Sequence, residues 1–349
     1  MVDFYTSEKH GPFTLIDVGD LPLEDGGVLP RCQLAVATYG ELNTEKDNAI
    51  LVPTWYSGTS GIIQQVLIGD GRALDPRRYF IIVVNQIGSG LSTSPHNAAN
   101  ELAGPAFPHV RIGDDVCAQH RLVTETYGIN RLALMVGASM GAQQTYEWAV
   151  RYPDMIARAG IIAGTARNSE LDFQLAQTLI DAITSDPGYL DGAYTSATDV
   201  SAGLARHARL WTVLGWSDEF FREGRHKAMG FASMEAFIDG FMVPYFSPMD
   251  PNNLLNQIWK WQRGDVSRHT NGDLAAALGR IRAKTFVMPL ARDAVFPPAD
   301  CAAEQAMIPS SELRVLDSID GHLGLFGTDP AMLAQLDANL IELLARSES

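Results

Sequence analysis

The pentapeptide Gly137-Ala138-Ser139-Met140-Gly141 limits what this chain can fold into more than any other stretch. It follows an apolar run, Leu132 to Val136, and leads into a helix-like segment, Ala142 to Val150. The order is strand, sharp turn with a serine at its tip, then helix. Such a turn brings backbone so close that only residues with little or no side chain fit two positions either side. The helix that starts right after it points free N–H groups, and the positive end of its dipole, at any negative charge developing beside the serine.

Neighbouring segments repeat the strand theme. Ala49-Ile50-Leu51-Val52, Tyr79 to Val84, Leu132 to Val136 and Ala159 to Ala163 are apolar runs bounded by Gly, Pro or Asn, suited to parallel strands buried on both faces. Phe13 to Asp17 and Cys32 to Thr38 read as an antiparallel lead-in. Thr285 to Pro289 and Leu313 to Leu316 are late strands, and Pro330 to Ala345 is a closing helix with Leu333, Leu336, Leu340 and Leu344 at helical spacing. Asp114 is the expected N-cap of a helix running to about Tyr127.

Between about Ser169 and Leu278 the alternation stops. That interval reads as almost wholly helical and aromatic-rich, with Trp211, Trp216, Phe246, Trp259 and Trp261 among its rings. Most of those rings are expected to form the insertion's own core. The predicted organisation is a core in two parts, 1–168 and 279–349, with a helical lid, 169–278, over the edge that carries the serine.

With 349 residues, 46% hydrophobic and 19% charged, the chain has the make-up of an ordinary globular protein. A net charge of −15, with no cluster of Lys and Arg, argues against nucleic acid as a partner. No stretch approaches the ~20 apolar residues of a membrane span, and the N-terminus lacks the basic-then-apolar order of a secretion signal, so a cytoplasmic protein is expected. Cys32, Cys117 and Cys301 have no metal-like spacing and read as small buried apolar residues; no metal site is expected.

A serine at such a turn needs a base, and the base needs an orienting carboxylate. Two later positions sit at the C-terminal ends of strands in the required order. Asp293 follows the run Thr285 to Leu290, and His322 follows Leu313 to Leu316. His120 falls within a helix, and Asp320 reads as a surface-turn aspartate. The oxyanion of an acyl intermediate needs two backbone donors. One is expected from Met140. The other is expected from the loop Pro53-Thr54-Trp55-Tyr56-Ser57-Gly58-Thr59, with Tyr56 favoured over Trp55 and Gly58 letting the loop close on the serine. Gly88-Ser89-Gly90 lacks the third glycine of a dinucleotide loop and is set aside. Serine, acid and histidine in this order on a mostly parallel sheet flanked by helices predict an α/β-hydrolase fold.

Within that fold the chain resembles the homoserine O-acetyltransferase family over nearly its full length. The resemblance is carried by Asn48 to Val52, Gly71-Arg72-Ala73-Leu74-Asp75 through Asn85, Ser139-Met140-Gly141-Ala142-Gln143-Gln144 with Glu147-Trp148-Ala149, Phe296-Pro297-Pro298 after Asp293, and Gly321-His322. It implies a Ser139–Asp293–His322 triad, a helical lid and a lid-mediated homodimer. Homoserine enzymes carry His-Ala-Leu-Thr-Gly where this chain has Thr54-Trp55-Tyr56-Ser57-Gly58. They also place an aspartate, which holds the substrate ammonium, where this chain has Leu323. An apolar side chain cannot pair with an amine. Their Ser-Ala-Gln-Asn stretch is replaced by Asn168-Ser169-Glu170-Leu171 after Arg167.

The expectation is acyl transfer through an acyl-serine, with a small ester or thioester as substrate. Water as second nucleophile makes an esterase, the favoured reading, and needs no cofactor. An alcohol makes an O-acetyltransferase, for which acetyl-CoA or another acyl-CoA would be co-substrate. A non-catalytic binding protein on the same scaffold is the remote third reading. Trp55 and Arg167 are the candidate substrate contacts, Arg167 either binding a carboxylate or serving a structural role at the lid hinge.

Overall fold

In a computed structural model that describes residues 4–347, the apolar runs become one eight-stranded sheet. Its strands are β1 (Thr14–Asp17), β2 (Gln33–Tyr39), β3 (Ala49–Pro53), β4 (Phe80–Val84), β5 (Leu134–Ala138), β6 (Arg158–Ile162), β7 (Lys284–Met288) and β8 (Ser311–Leu313). Their spatial order is β1-β2-β4-β3-β5-β6-β7-β8. β2 pairs antiparallel with β1 and β4, and every later pairing is parallel. The register Met135↔Ala159 to Ala138↔Ile162 carries β5 up to the residue before Ser139. Leu21–Pro22 and Val28–Leu29 form a separate two-stranded ribbon.

Period-two alternation sorts the central strands onto two cores. Leu51, Ile82, Met135 and Ile161 face one apolar cluster. Ile50, Val52, Ile81, Val83 and Val136 face the other. Helices cover both sides, as parallel strands require: α1 (Ser60–Leu67), α2 (Ile112–Arg121), α3 (Met140–Arg151), α4 (Glu170–Thr184), α5 (Ser201–Gly215), α6 (Pro251–Gln262), α7 (Pro298–Gln305) and α8 (Pro330–Ala345). α1 and α8 join the second cluster through Ile63, Val66, Leu336 and Leu340.

After β6, α4 to α6 and several short helical turns, Glu170 to Leu278, precede β7. Much of this insertion packs on the core. Lys260 of α6, with its side chain at 0% exposure, forms an ion pair with Asp115 of α2 and donates to the Ile87 carbonyl at 2.7 Å. No helix of the described residues is long and apolar enough to cross a membrane.

Four local expectations are corrected. The last strand is Ser311–Leu313 rather than the run Leu313 to Leu316, and Leu316 makes only an isolated bridge to Leu290. Asp114 lies inside the first turn of α2 and is not its N-cap. Its carboxylate accepts from Arg111 N–H at 2.7 Å and from Glu24 N–H at 2.8 Å. The π-helical turn Leu122–Thr126 continues α2. The apolar stripe of α8 is centred on Met332, Leu336, Leu340 and Leu343, so Leu333 and Leu344 sit at its margin. Asp320 is fully buried rather than on a surface turn; it accepts from Thr328 Oγ1 at 2.6 Å and lies 3.3 Å from Arg225 Nε.

Candidate active site

Ser139 sits between β5 and α3 with φ 55° and ψ −122°, a conformation that lifts its side chain off the sheet edge. The turn can close this tightly because the residues two positions either side, Gly137 and Gly141, are glycines. A Cβ on Gly137 would lie 2.1 Å from the Gly141 carbonyl oxygen, and one on Gly141 would lie 2.8 Å from that of Pro53. Ser139 N–H is tied to the Ile162 carbonyl at 2.9 Å. Met140 begins α3, and among the described residues no acceptor faces its N–H.

The structure brings the three residues named from chain order together. Ser139 Oγ lies 3.0 Å from His322 Nε2, and His322 Nδ1 lies 2.7 Å from Asp293 Oδ2. The other carboxylate oxygen, Oδ1, accepts from Val295 N–H at 2.8 Å and Phe296 N–H at 2.9 Å. A carboxylate only accepts, so Nδ1 carries the proton and Nε2 presents its lone pair to the serine hydroxyl. All three residues are buried. Asp293 stands just beyond β7 and His322 beyond β8, so residues 183 positions apart converge at one sheet edge.

The loop after β3 forms the opposite wall. Thr54 N–H donates to Val84 O at 3.0 Å, Gly58 N–H to Trp55 O at 3.0 Å and Ser57 N–H to Gln257 Oε1 at 2.9 Å. The N–H groups of Trp55 and Tyr56, between them, face no acceptor among the described residues. Gly58 serves the indole rather than the serine, since a Cβ there would sit 2.5 Å from Trp55 Nε1.

The cavity beside Ser139 and His322 is narrow: about 20 Å³ is open to the centre of a water molecule, little more than one water's room. Trp55, Tyr56, Trp211, Phe246, Leu323 and Phe326 give it an apolar wall. Trp211 and Phe246 come from the helical insertion, so not all of its rings are internal packing. Their role had no local mark except that His207 and Trp211 are four apart, which places both on one face of α5. Arg167 is not among the cavity-lining residues. Its side chain is exposed over a separate depression shared with Arg263 and Gln262, and its N–H donates to Glu304 Oε1 at 3.1 Å. Burial pushes the thiols of Cys32, Cys117 and Cys301 up, which suits apolar packing and not nucleophilic work.

The sheet order, the turn and the converging side chains define an α/β hydrolase. The sequence pattern of the α/β hydrolase fold family matches residues 69–327, and the chain belongs to that family. Particular relatives narrow the position. The chain is 66% identical over 345 residues to an ethyl acetate hydrolase of Pseudomonas veronii, covering 99% of each chain. It is 54% identical over 341 residues to a probable esterase of Corynebacterium glutamicum, covering 97% of this chain and 98% of the relative. The monoclinic structure of the acetyl esterase MekB superposes with a TM-score of 0.98 at 66% identity, over 98% of this chain and 99% of that one. A homoserine O-acetyltransferase of Thermobifida fusca is more distant, 32% identical over 353 residues and covering 93% and 92%.

Proposed function

We propose that this chain is a serine esterase that hydrolyses small carboxylic esters, acetyl esters foremost. The observation that carries the reading is the chain of hydrogen bonds from Asp293 through His322 to Ser139 at the floor of a narrow apolar cavity. His322 Nε2 takes the serine proton as Oγ attacks the ester carbonyl. The oxyanion is held by the N–H groups of Met140 and Tyr56, the alcohol leaves with the proton from His322, and an acyl-serine remains. Water then attacks with His322 again as base, releasing the acid. Asp293, held by two backbone donors, keeps the imidazole in the required tautomer throughout. Trp55 and Trp211 bound the acyl group.

Leu323 beside the catalytic imidazole favours water over an amino-alcohol acceptor, because no carboxylate stands there to pair with an ammonium. The close likeness to an ethyl acetate hydrolase and to an acetyl esterase supports the same choice. The chemistry uses side chains and backbone dipoles of this chain alone, so no cofactor is invoked. In this reading residues 169–278 are a lid, the enzyme is cytoplasmic, and two copies associate through their lids.

Active-site labelling tests the reading. A fluorophosphonate should modify the wild type and leave Ser139→Ala untouched. Incubation with p-nitrophenyl acetate, and with acetyl-CoA plus or minus candidate alcohols, separates the two outcomes of acyl transfer. Ester hydrolysis without an alcohol is expected; thiol release that depends on an alcohol would overturn the esterase reading.

A further inference from the structure

One histidine of the insertion is buried against the proposed oxyanion loop and has no part in the triad. His207, on α5, is fully enclosed. Its Nε2 lies 2.9 Å from Tyr56 Oη and 3.1 Å from Trp211 Nε1, and its Nδ1 lies 3.4 Å from the Leu179 carbonyl. An indole N–H and a peptide carbonyl leave little choice of proton position. Nδ1–H donates to Leu179, so Nε2 is the acceptor, with Tyr56 O–H and Trp211 N–H as donors. Burial holds the imidazole pKa down to about 3, so the ring stays neutral and does not serve as a second base.

Both donors matter at the site. Tyr56 carries the backbone N–H assigned above to the oxyanion. Trp211 stacks on Tyr56 at 5.5 Å and 20°, and lies over the His322 ring at 6.3 Å and 24°. One side chain of the insertion therefore fixes the oxyanion loop and the roof over the catalytic imidazole together. The other hydrogen bonds on that loop act on Tyr56 through its neighbours: Ser57 N–H donates to Gln257, the Tyr245 hydroxyl to Ser57 O at 3.1 Å and Gly58 N–H to Trp55 O.

We infer that His207 is a positioning residue for acyl transfer, acting through its hydrogen bond to the Tyr56 hydroxyl to hold the Tyr56 N–H where the oxyanion forms. The inference rests on the esterase reading and names a device within the same site. Loss of the bond lets the loop shift, and a displacement on the order of 1 Å at an oxyanion donor costs about 10- to 100-fold in rate.

The experiment compares wild type, Tyr56→Phe, His207→Phe, the double variant and His207→Gln. Each is assayed for kcat and KM on p-nitrophenyl acetate, for inhibition by 1,1,1-trifluoroacetone, and for Tm. The ketone adds to the serine and presents an oxyanion, so its Ki follows the donors directly. Tyr56→Phe removes only the hydroxyl and should lower kcat about 10- to 100-fold with KM nearly unchanged, the ketone weakening by a similar factor. His207→Phe should match it, the double variant should be no worse than His207→Phe alone, and His207→Gln, whose carbonyl can accept the bond, should recover much of the loss. A packing role alone would lower Tm and leave kcat and the ketone Ki in place. Tyr56→Phe within twofold of wild type on both overturns the inference, as do losses that multiply in the double variant. Should His207→Phe fail to fold, Tyr56→Phe and His207→Gln decide the matter. Fluorophosphonate labelling of the wild type keeps the two readings apart: an unlabelled wild type overturns the esterase assignment, whereas a labelled wild type with an indifferent Tyr56→Phe overturns only the role of His207.

Discussion

Replacing Asp293 with asparagine changes one atom, and the structure says which way the new amide must face. Oδ1 accepts two backbone donors, Val295 N–H at 2.8 Å and Phe296 N–H at 2.9 Å. In the variant the carbonyl oxygen has to occupy that position. The reverse orientation would leave two buried N–H groups facing an NH2, at about 1–3 kcal/mol each. The amide nitrogen is then directed at His322 Nδ1, which lay 2.7 Å from Oδ2. Two donors cannot face each other, so the imidazole changes tautomer and its proton moves to Nε2, toward Ser139. A protonated Nε2 cannot take the serine proton. The equivalent change in a serine protease triad lowers kcat by about 10⁴-fold, or about 5.5 kcal/mol at 1.36 kcal/mol per decade, and the same is expected here. KM on p-nitrophenyl acetate should stay within a few-fold, because the amide does not touch substrate. Stopped-flow measurement of the acylation burst, with Tm as a folding control, reads the effect directly. A folded Asp293→Asn enzyme with more than a tenth of the wild-type kcat would refute the argument from fixed amide orientation.

Three further outcomes follow from particular contacts. Gly137→Ala places a Cβ 2.1 Å from the Gly141 carbonyl, so the variant should lose about 3 kcal/mol or more in urea unfolding and its ester hydrolysis with it; near-native stability would contradict the close approach at the turn. Lys260→Met leaves Asp115 charged and unpaired in the interior and should cost about 3–5 kcal/mol, most of it recovered when Asp115→Asn is added; an equal loss in the double variant would show that the pair is not what docks α6 on α2. His207 takes a proton near pH 6.5 when unfolded but only near pH 3 when folded, so its contribution is complete above pH 6.5 and falls as pH drops below it, by about 2 kcal/mol at pH 5. Glu304, raised to about 7 by burial, acts in the opposite sense over part of that range, so the quantity to follow is the stability difference between wild type and His207→Gln. That difference should shrink by about 2 kcal/mol between pH 7 and pH 5; a constant difference sinks the assignment of a buried neutral imidazole.

The amino-acid order by itself determined the parts of this protein that depend on local spacing. Apolar runs of strand length became β3 to β7, because a strand buried on both faces has no room for polar residues. The serine turn was legible because its sterics admit so few side chains at Gly137 and Gly141. Asp293 and His322 were legible because one stands just past β7 and the other in the loop that follows β8, and parallel strands deliver their C-terminal ends to one edge. What only the tertiary structure decided concerns groups whose environment comes from distant chain. Arg167 is adjacent in sequence to the insertion yet faces away from the cavity, while Trp211 and Phe246, deep within it, reach the site. Asp320 looked like a surface turn until residues 215–225 packed over it. His207 could not be told from any other helix histidine, because its charge state is set by burial and its tautomer by Leu179, Trp211 and Tyr56. Spacing specifies which backbone forms and where its ends point; burial and hydrogen-bond partners, which set what a side chain can do, exist only once the insertion has closed over the sheet.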